Sequence, residues 1–245
     1  MDKKAHMEKQ IIKIQKIKHG TIREITDEAA IEQQIHVVLE EKELFSMSCT
    51  PSNIEELVLG QLYSRDLIES AAQVENFEII LEKGVVKVTL HNTAKTQMKT
   101  DSSGKAKEQQ SLSLEKVFSI AEELYNKPGS LFVETGCAHS CAIIKNDKIL
   151  CQFEDIGRHN ALDKVIGFAL KNSIELSKCV VFTSGRISGD YLQKVLHAGI
   201  ETVISRAAVT SEAIALANAN KITMLGFVRK NTGNIYSVAE NIHIY

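Results

Sequence analysis

The chain has 245 residues, 44% of them hydrophobic and 24% charged, with a net charge of −2. That length and balance suit a soluble globular protein able to bury a core without disulfides or a structural metal. The small net charge excludes a global pull toward nucleic acid or an anionic membrane. No apolar run approaches the ~20 residues that a membrane span needs, and residues 1–10 lack the apolar stretch of a signal peptide. A cytoplasmic location is therefore expected. Five cysteines, Cys49, Cys137, Cys141, Cys151 and Cys179, make an odd set. In a reducing compartment that favours thiol chemistry or simple burial over disulfides.

Residues 1–30 alternate charge with isoleucine and predict short strands after a frayed start. Residues 34–39 and 43–49 predict two strands around a charged turn at 40–42. Thr50, Pro51, Ser52 and Asn53 then suit a helix start, with polar side chains to cap free N–H groups. The spacing of Ile54, Leu57, Val58 and Leu62 predicts a helix over 54–64. Residues 77–81 and 85–90 read as a hairpin around Glu82, Lys83 and Gly84. Residues 92–112 are rich in Lys, Thr, Ser and Gln, and such a stretch cannot bury enough surface to offset its ordering entropy. A mobile linker is expected there. It divides the chain into a small, mostly β N-terminal domain (1–98), a linker (99–112) and a larger C-terminal domain (113–245).

The C-terminal part predicts a helix over 114–125, a strand over 131–134 and a hairpin of 140–145 with 149–153 turning at Asn146 and Asp147. Helices follow at 160–170, 190–197 and 211–218, and strands at 179–183, 202–205 and 222–228. Strand and helix alternate three times, which argues for an α/β layer with a largely parallel sheet. No phosphate-binding loop of the G-x-x-x-x-G-K-[ST] type is present.

Ligands of open α/β sheets gather beyond the carboxyl ends of the strands. Four polar segments fall at such ends, 134–141, 154–160, 183–189 and 227–232, and the first three contain glycine. The second holds Glu154, Asp155, Ile156, Gly157, Arg158, His159 and Asn160. Arg158 offers a planar fork for phosphate or a purine edge. Asp155 can accept N–H groups from a guanine-like or pterin-like base, and the following helix start offers N–H groups to an anion. The same string also suits a capped helix with a surface ion pair. In Thr183, Ser184, Gly185, Arg186, Ile187 and Ser188, the glycine permits close backbone approach and Arg186 can hold phosphate. Phe227, Val228, Arg229, Lys230, Asn231 and Thr232 add two cations to the same edge, or form a solvated hairpin turn.

Cys137, His139 and Cys141 alternate, so in an extended strand they share one face. A thiol beside histidine and free backbone N–H groups can become a nucleophile. Small thiols packed in a core are the plainer reading. Zinc lacks an evident fourth ligand.

Together, Glu134-Thr135-Gly136-x-x-His139, the run from Glu154 through Ala161, Leu162, Asp163 and Lys164, Ser184-Gly185-Arg186-x-Ser188, and Leu225-Gly226-Phe227-Val228-Arg229 resemble the FdhD family of formate dehydrogenase accessory sulfurtransferases. The likeness is close over residues 131–238 and looser at Thr50-Pro51 and 57–62. The resemblance implies a cytidine-deaminase-like, three-layer α/β C-terminal domain in a chain that is α+β overall. It also implies a homodimer that relays sulfur from a cysteine desulfurase to molybdenum bis(molybdopterin guanine dinucleotide), bound as cargo before insertion into the formate dehydrogenase apoenzyme. GDP would be a partial mimic of that cargo. The family's cofactor segment falls on residues 227–232. Neither nucleic acid nor membrane is implied as a partner.

One departure changes the expectation. The family carries a C-G-x-C-G loop motif, whereas residues 100–106 here read Thr-Asp-Ser-Ser-Gly-Lys-Ala, and no cysteine lies between Cys49 and Cys137. The family's Thr-Gly-Gly-x-His also has Cys137 at its second glycine. Either Cys137 or Cys141 carries sulfur beside His139, or the chain binds the cofactor as a chaperone and moves none. A zinc deaminase is a third reading, but the chain lacks the H-x-E and P-C-x-x-C signatures.

Overall fold

In this computed structural model, residues 8–91 and 110–245 are described. The isoleucine-charge alternation folds into one long hairpin, β1 (Lys9–Lys18) and β2 (Thr21–Ala30). His19 and Gly20 turn it with φ of 49° and 76°, the left-handed pair of a type I′ turn that matches strand twist. Next come β3 (Gln33–Leu39) and β4 (Lys42–Cys49), turned at Glu40 and Glu41, also at positive φ. The predicted helix is α1 (Ile54–Ser64), then β5 (Val74–Ile80) and β6 (Val85–Leu90). The four strands form one sheet in the order β4-β3-β6-β5. Leu57, Val58 and Leu62 of α1 pack on Ile35, Val37, Val86 and Val88 of that sheet. The expected side-chain cap of α1 is not made: Asn53 adopts a left-handed conformation with no capping bond. Thr50 instead reaches across the molecule, as described below.

The linker expected over 99–112 falls largely outside the described residues. Its end, β7 (Gln110–Leu112), is a strand. After it come α2 (Leu114–Asn126) and α3 (Ser130–Thr135). The latter corrects the strand expected at 131–134. Glu154 accepts from the N–H groups of Leu131 (3.0 Å) and Phe132 (3.1 Å), so a distant carboxylate caps a helix that its own apolar run does not announce.

The rest is β8 (His139–Lys145), β9 (Lys148–Asp155), α4 (Arg158–Lys171), β10 (Val180–Thr183), α5 (Gly189–His197), β11 (Thr202–Ser205), α6 (Ser211–Ala219), β12 (Thr223–Arg229), β13 (Thr232–Ser237) and β14 (Ile242–Ile244). Six of these strands form one sheet in the order β13-β12-β11-β10-β8-β9. Only β10, β11 and β12 run parallel; β8, β9 and β13 are antiparallel to their neighbours. The sheet is therefore mixed rather than largely parallel, because two tight hairpins flank the parallel centre. One face (Cys141, Ile143, Val181, Val203, Met224) packs on α4, α5 and α6. The other (Ala142, Ile144, Phe182, Ile204, Leu225) packs on α2. This is the expected three-layer arrangement in an α+β chain. β14 pairs in parallel with β7. No described helix is long and apolar enough to cross a membrane.

The two halves meet where α1 crosses α4. A Cβ on Gly60 would lie 2.0 Å from the Asp163 carbonyl oxygen, and one on Gly167 would lie 1.9 Å from that of Glu56. Only bare Cα atoms let the helices approach so closely.

Candidate functional site

The antiparallel start of β8 lies beside the carboxyl end of β10. His139, Asp155, Thr183, Ser205 and the end of β12 therefore share one sheet edge. Strands lie about 4.8 Å apart, so the three steps from β12 to β8 span roughly 14 Å. The four expected segments do converge, but their side chains divide sharply between interior and surface.

Asp155 is fully buried. It pairs with the equally buried Lys164 at 2.8 Å and accepts from the N–H groups of Thr50 (3.2 Å) and Gly157 (2.9 Å) and from Asn160 Nδ2 (2.9 Å). Asn160 Nδ2 also donates to the Ser48 carbonyl at 2.7 Å. Thr50 Oγ1 accepts from the Ile156 N–H at 3.2 Å. Lys164 Nζ donates to the Glu154 carbonyl at 2.9 Å. One turn on, the buried Asp163 accepts from Gln61 Nε2 (2.6 Å), Lys194 Nζ (2.5 Å) and Ser64 Oγ (3.1 Å). Burial pushes the Asp163 carboxyl up, against the pull of Lys194. The expectation that Asp155 and Asn160 face a ligand is thus corrected. Their polar atoms are spent joining the N-terminal half to the central sheet. Glu154 is spent capping α3, and burial raises its carboxyl above the usual range.

Gly157, Arg158 and His159 remain at the edge. A Cβ on Gly185 would lie 2.9 Å from Arg158 Cβ and 3.4 Å from His139 Nδ1, so that glycine draws the two side chains together. Arg158 Nη2 donates to Ser188 Oγ at 3.2 Å, and Ser188 Oγ donates to Asp190. His159 Nε2 lies 3.3 Å from Asp190 Oδ2. Burial first, then the Arg158 and Arg186 guanidiniums, hold the His139 imidazole below its ordinary value. Burial also lowers His159, partly offset by Asp190. Ser184 is engaged locally, its N–H donating to the Ser140 carbonyl and its Oγ accepting from the Ser140 N–H, both at 2.9 Å.

At the other end of the edge, the Val228 side chain is buried in the core, which removes it from the expected ligand surface. Phe227 is exposed, with φ of 53° at a bulge. Arg229, Lys230, Asn231 and Thr232 are exposed, and Thr232 Oγ1 donates to the Arg229 carbonyl at 3.0 Å. Arg229 Nε donates to the Arg206 carbonyl at 3.4 Å. The Arg206 guanidinium stacks 3.7 Å over the Tyr125 ring. Arg206 was not anticipated. Its signal is positional: it is the first residue beyond β11, as Ser184 is beyond β10.

The cysteines separate as clearly. Cys141 is fully buried, 3.7 Å from Tyr191 Oη, and burial pushes its thiol up to about 12. That corrects its candidacy, since a sulfur-bearing thiol must be reachable and ionisable. Burial also pushes Cys49 and Cys151 to about 12 and raises Cys179. Cys137 is exposed and precedes β8 instead of sharing its face; its N–H donates to Thr135 Oγ1 at 3.0 Å. Cys137, His139, Phe132, Phe182, Ser184 and Arg206 line one cavity of about 380 Å³. Among the described residues, no three His, Cys, Asp or Glu side chains converge as a metal site would need.

The sequence profile of the FdhD/NarQ family matches residues 30–243. A protein of Listeria innocua named Sulfur carrier protein FdhD is 31% identical over 254 aligned residues, covering 94% of this chain and 97% of the relative. The protein of that name from Bacillus subtilis is 32% identical over 247, covering 91% and 93%. A crystal structure described as that of a candidate formate dehydrogenase accessory protein from Desulfotalea psychrophila shares the fold. Its TM-score is 0.81 at 24% identity, over 96% of this chain and all of that one. The chain belongs to the FdhD/NarQ family.

Proposed function

We propose that this protein is a formate dehydrogenase accessory protein that holds a guanylated molybdopterin along the strand-end edge and carries sulfur on Cys137. The observation that carries this reading is the shared cavity: the exposed cysteine opens onto the same space as His139 and Arg206. Arg158, Arg186, Arg229 and Lys230 supply cations along the same edge for an anionic dinucleotide. Molybdenum bis(molybdopterin guanine dinucleotide) is the cargo, and its metal centre would receive the sulfur. The relatives' shared name supports the sulfur-carrying part.

The chemistry asked of the chain is thiol exchange. The Cys137 thiolate attacks the outer sulfur of a persulfide on a cysteine desulfurase. A new S–S bond forms at Cys137, the donor's S–S bond breaks, and the donor cysteine leaves as a thiolate. His139, held neutral by its surroundings, is a proton acceptor in the same cavity. The test is mass spectrometry after incubation with a desulfurase and cysteine. One sulfur atom, about +32 Da, is expected on Cys137. An unmodified but alkylatable Cys137 overturns the sulfur-carrying part.

A second reading is favoured by the absence of cysteine from residues 50–136: the chain chaperones the cofactor and moves no sulfur. It expects GDP binding, weakened about tenfold in Arg229→Ala, together with full formate dehydrogenase maturation by Cys137→Ser. Maturation is measured by complementation of a deletion strain, and light scattering measures whether the working unit in the cytoplasm is a homodimer.

A further inference from the structure

Arg158 Nε is buried and has no hydrogen-bond partner, which sets it apart among the described residues. Buried polar atoms in folded proteins are almost always satisfied, so an orphan calls for a physical reason. Its location supplies one. The Nε and Nη2 donors of a guanidinium lie side by side and form the fork that grips two oxygens of a phosphate or carboxylate. Here Nη2 meets Ser188 Oγ at 3.2 Å, while the neighbouring prong meets nothing. A hydroxyl presents one oxygen where the fork accepts two.

We propose that the Ser188 hydroxyl is a stand-in for one oxygen of a phosphate, and that Arg158 is the clamp of a phosphate subsite completed by Arg186 and His139. Ligand entry turns the Ser188 hydroxyl aside and gives both prongs of Arg158 an acceptor. Ser188 has somewhere to go, because its own proton is donated to Asp190, whose other oxygen faces His159. Gly185 keeps the floor of the subsite open, since any side chain there would meet Arg158 and His139. His139, whose proton affinity is lowered first by burial and then by the Arg158 and Arg186 guanidiniums, shares the positive field of a site suited to an anion. This inference rests on the cofactor reading above and assigns it a polarity. The phosphates lie at the β8–β10 end, roughly 14 Å from the residues 227–232 end by strand spacing.

The experiment is calorimetric titration of the full chain with inorganic pyrophosphate and, separately, with GDP. Arg158→Lys keeps the charge and removes the fork, and is expected to weaken pyrophosphate about tenfold. Ser188→Ala, which removes the stand-in, should bind as tightly as wild type or more tightly. Ser188→Asp, which fills the fork from within, should abolish binding. In wild type, the Arg158 Nε–H resonance should shift and exchange more slowly with solvent when pyrophosphate is added. Equal affinity of Arg158→Lys and wild type, or an unmoved resonance at saturation, overturns the proposal. So does a loss in Ser188→Ala as large as in Arg158→Lys, because Ser188 would then be a ligand contact. GDP binding that depends on Arg229 but not on Arg158 leaves the cofactor reading standing and removes the subsite. Arg158-dependent pyrophosphate binding, with GDP no tighter than pyrophosphate, does the reverse.

Discussion

The seam between α1 and α4 and the edge at Cys137 and Arg229 hold similar side chains, yet the two regions use charge in opposite ways. In the seam, Asp155, Lys164 and Asp163 are removed from water, and their polar atoms are matched with protein partners. At the edge, Arg186, Arg229 and Lys230 face solvent. The contrast teaches that a run of charged residues after a strand marks a place in the fold before it marks a ligand. Which of its members are available is decided by what packs over them.

That contrast can be broken or sharpened by substitution. The largest effect is expected from Lys164→Met, which strands a buried carboxylate and should cost about 3–5 kcal/mol in urea unfolding. Replacing both partners, with Asp155→Asn added, should recover part of that loss; a double-variant loss equal to the sum of the two single losses would mean that no pair interaction exists. Gly167→Ala comes next. Its new methyl meets the Glu56 carbonyl, and a cost of about 1–3 kcal/mol is expected. An unchanged unfolding midpoint would show that the helices can separate freely. Arg229→Ala sits on the other side of the comparison. Its stability should stay within about 0.5 kcal/mol of wild type, while GDP binding weakens about tenfold. The smallest effect concerns pH. His139 and His159 have folded values below 6.5, so the unfolded chain binds their protons more readily. Their contribution to stability is complete above about 6.5 and lost as pH falls through the folded values. Asp163 and Glu154, raised by burial, act in the opposite sense at lower pH. The comparison is therefore between His139→Gln and wild type: the variant's urea midpoint should fall less than that of wild type between about pH 7.5 and 5.5. Parallel curves would mean that His139 is not perturbed.

Most helices were legible because their apolar spacing is regular, and α1 was placed to the residue. The hairpin turn at Asn146 and Asp147 followed from turn chemistry, both residues having positive φ. α3 was not legible, since Leu131, Phe132 and Val133 form a short apolar run that serves strand or helix equally. What settles it is Glu154, more than twenty residues away in sequence. β13 and β14 were missed because alternation is weak in residues 232–237 and three residues carry almost no pattern. At the site, the four segments that the sequence sets at strand ends do share one sheet edge, yet the sequence could not tell Asp155 from Arg158 three residues later. Periodicity says which helix face a residue takes, but not that α1 lies over one of those faces. Cys141 shows the same limit: alternation puts it on one strand face with His139, and only the packing of the helices over that face makes it core, the plainer of its two readings.

The crossing of α1 and α4 on Gly60 and Gly167 has a mechanical consequence. With backbone set against backbone, these helices cannot slide without collision, so α4 and the N-terminal sheet move as one block. Arg158 is mounted on the first turn of that block. It is held fixed, and any movement at that edge falls to the side facing it, the β10–α5 turn with Ser188 and the short stretch bearing Cys137.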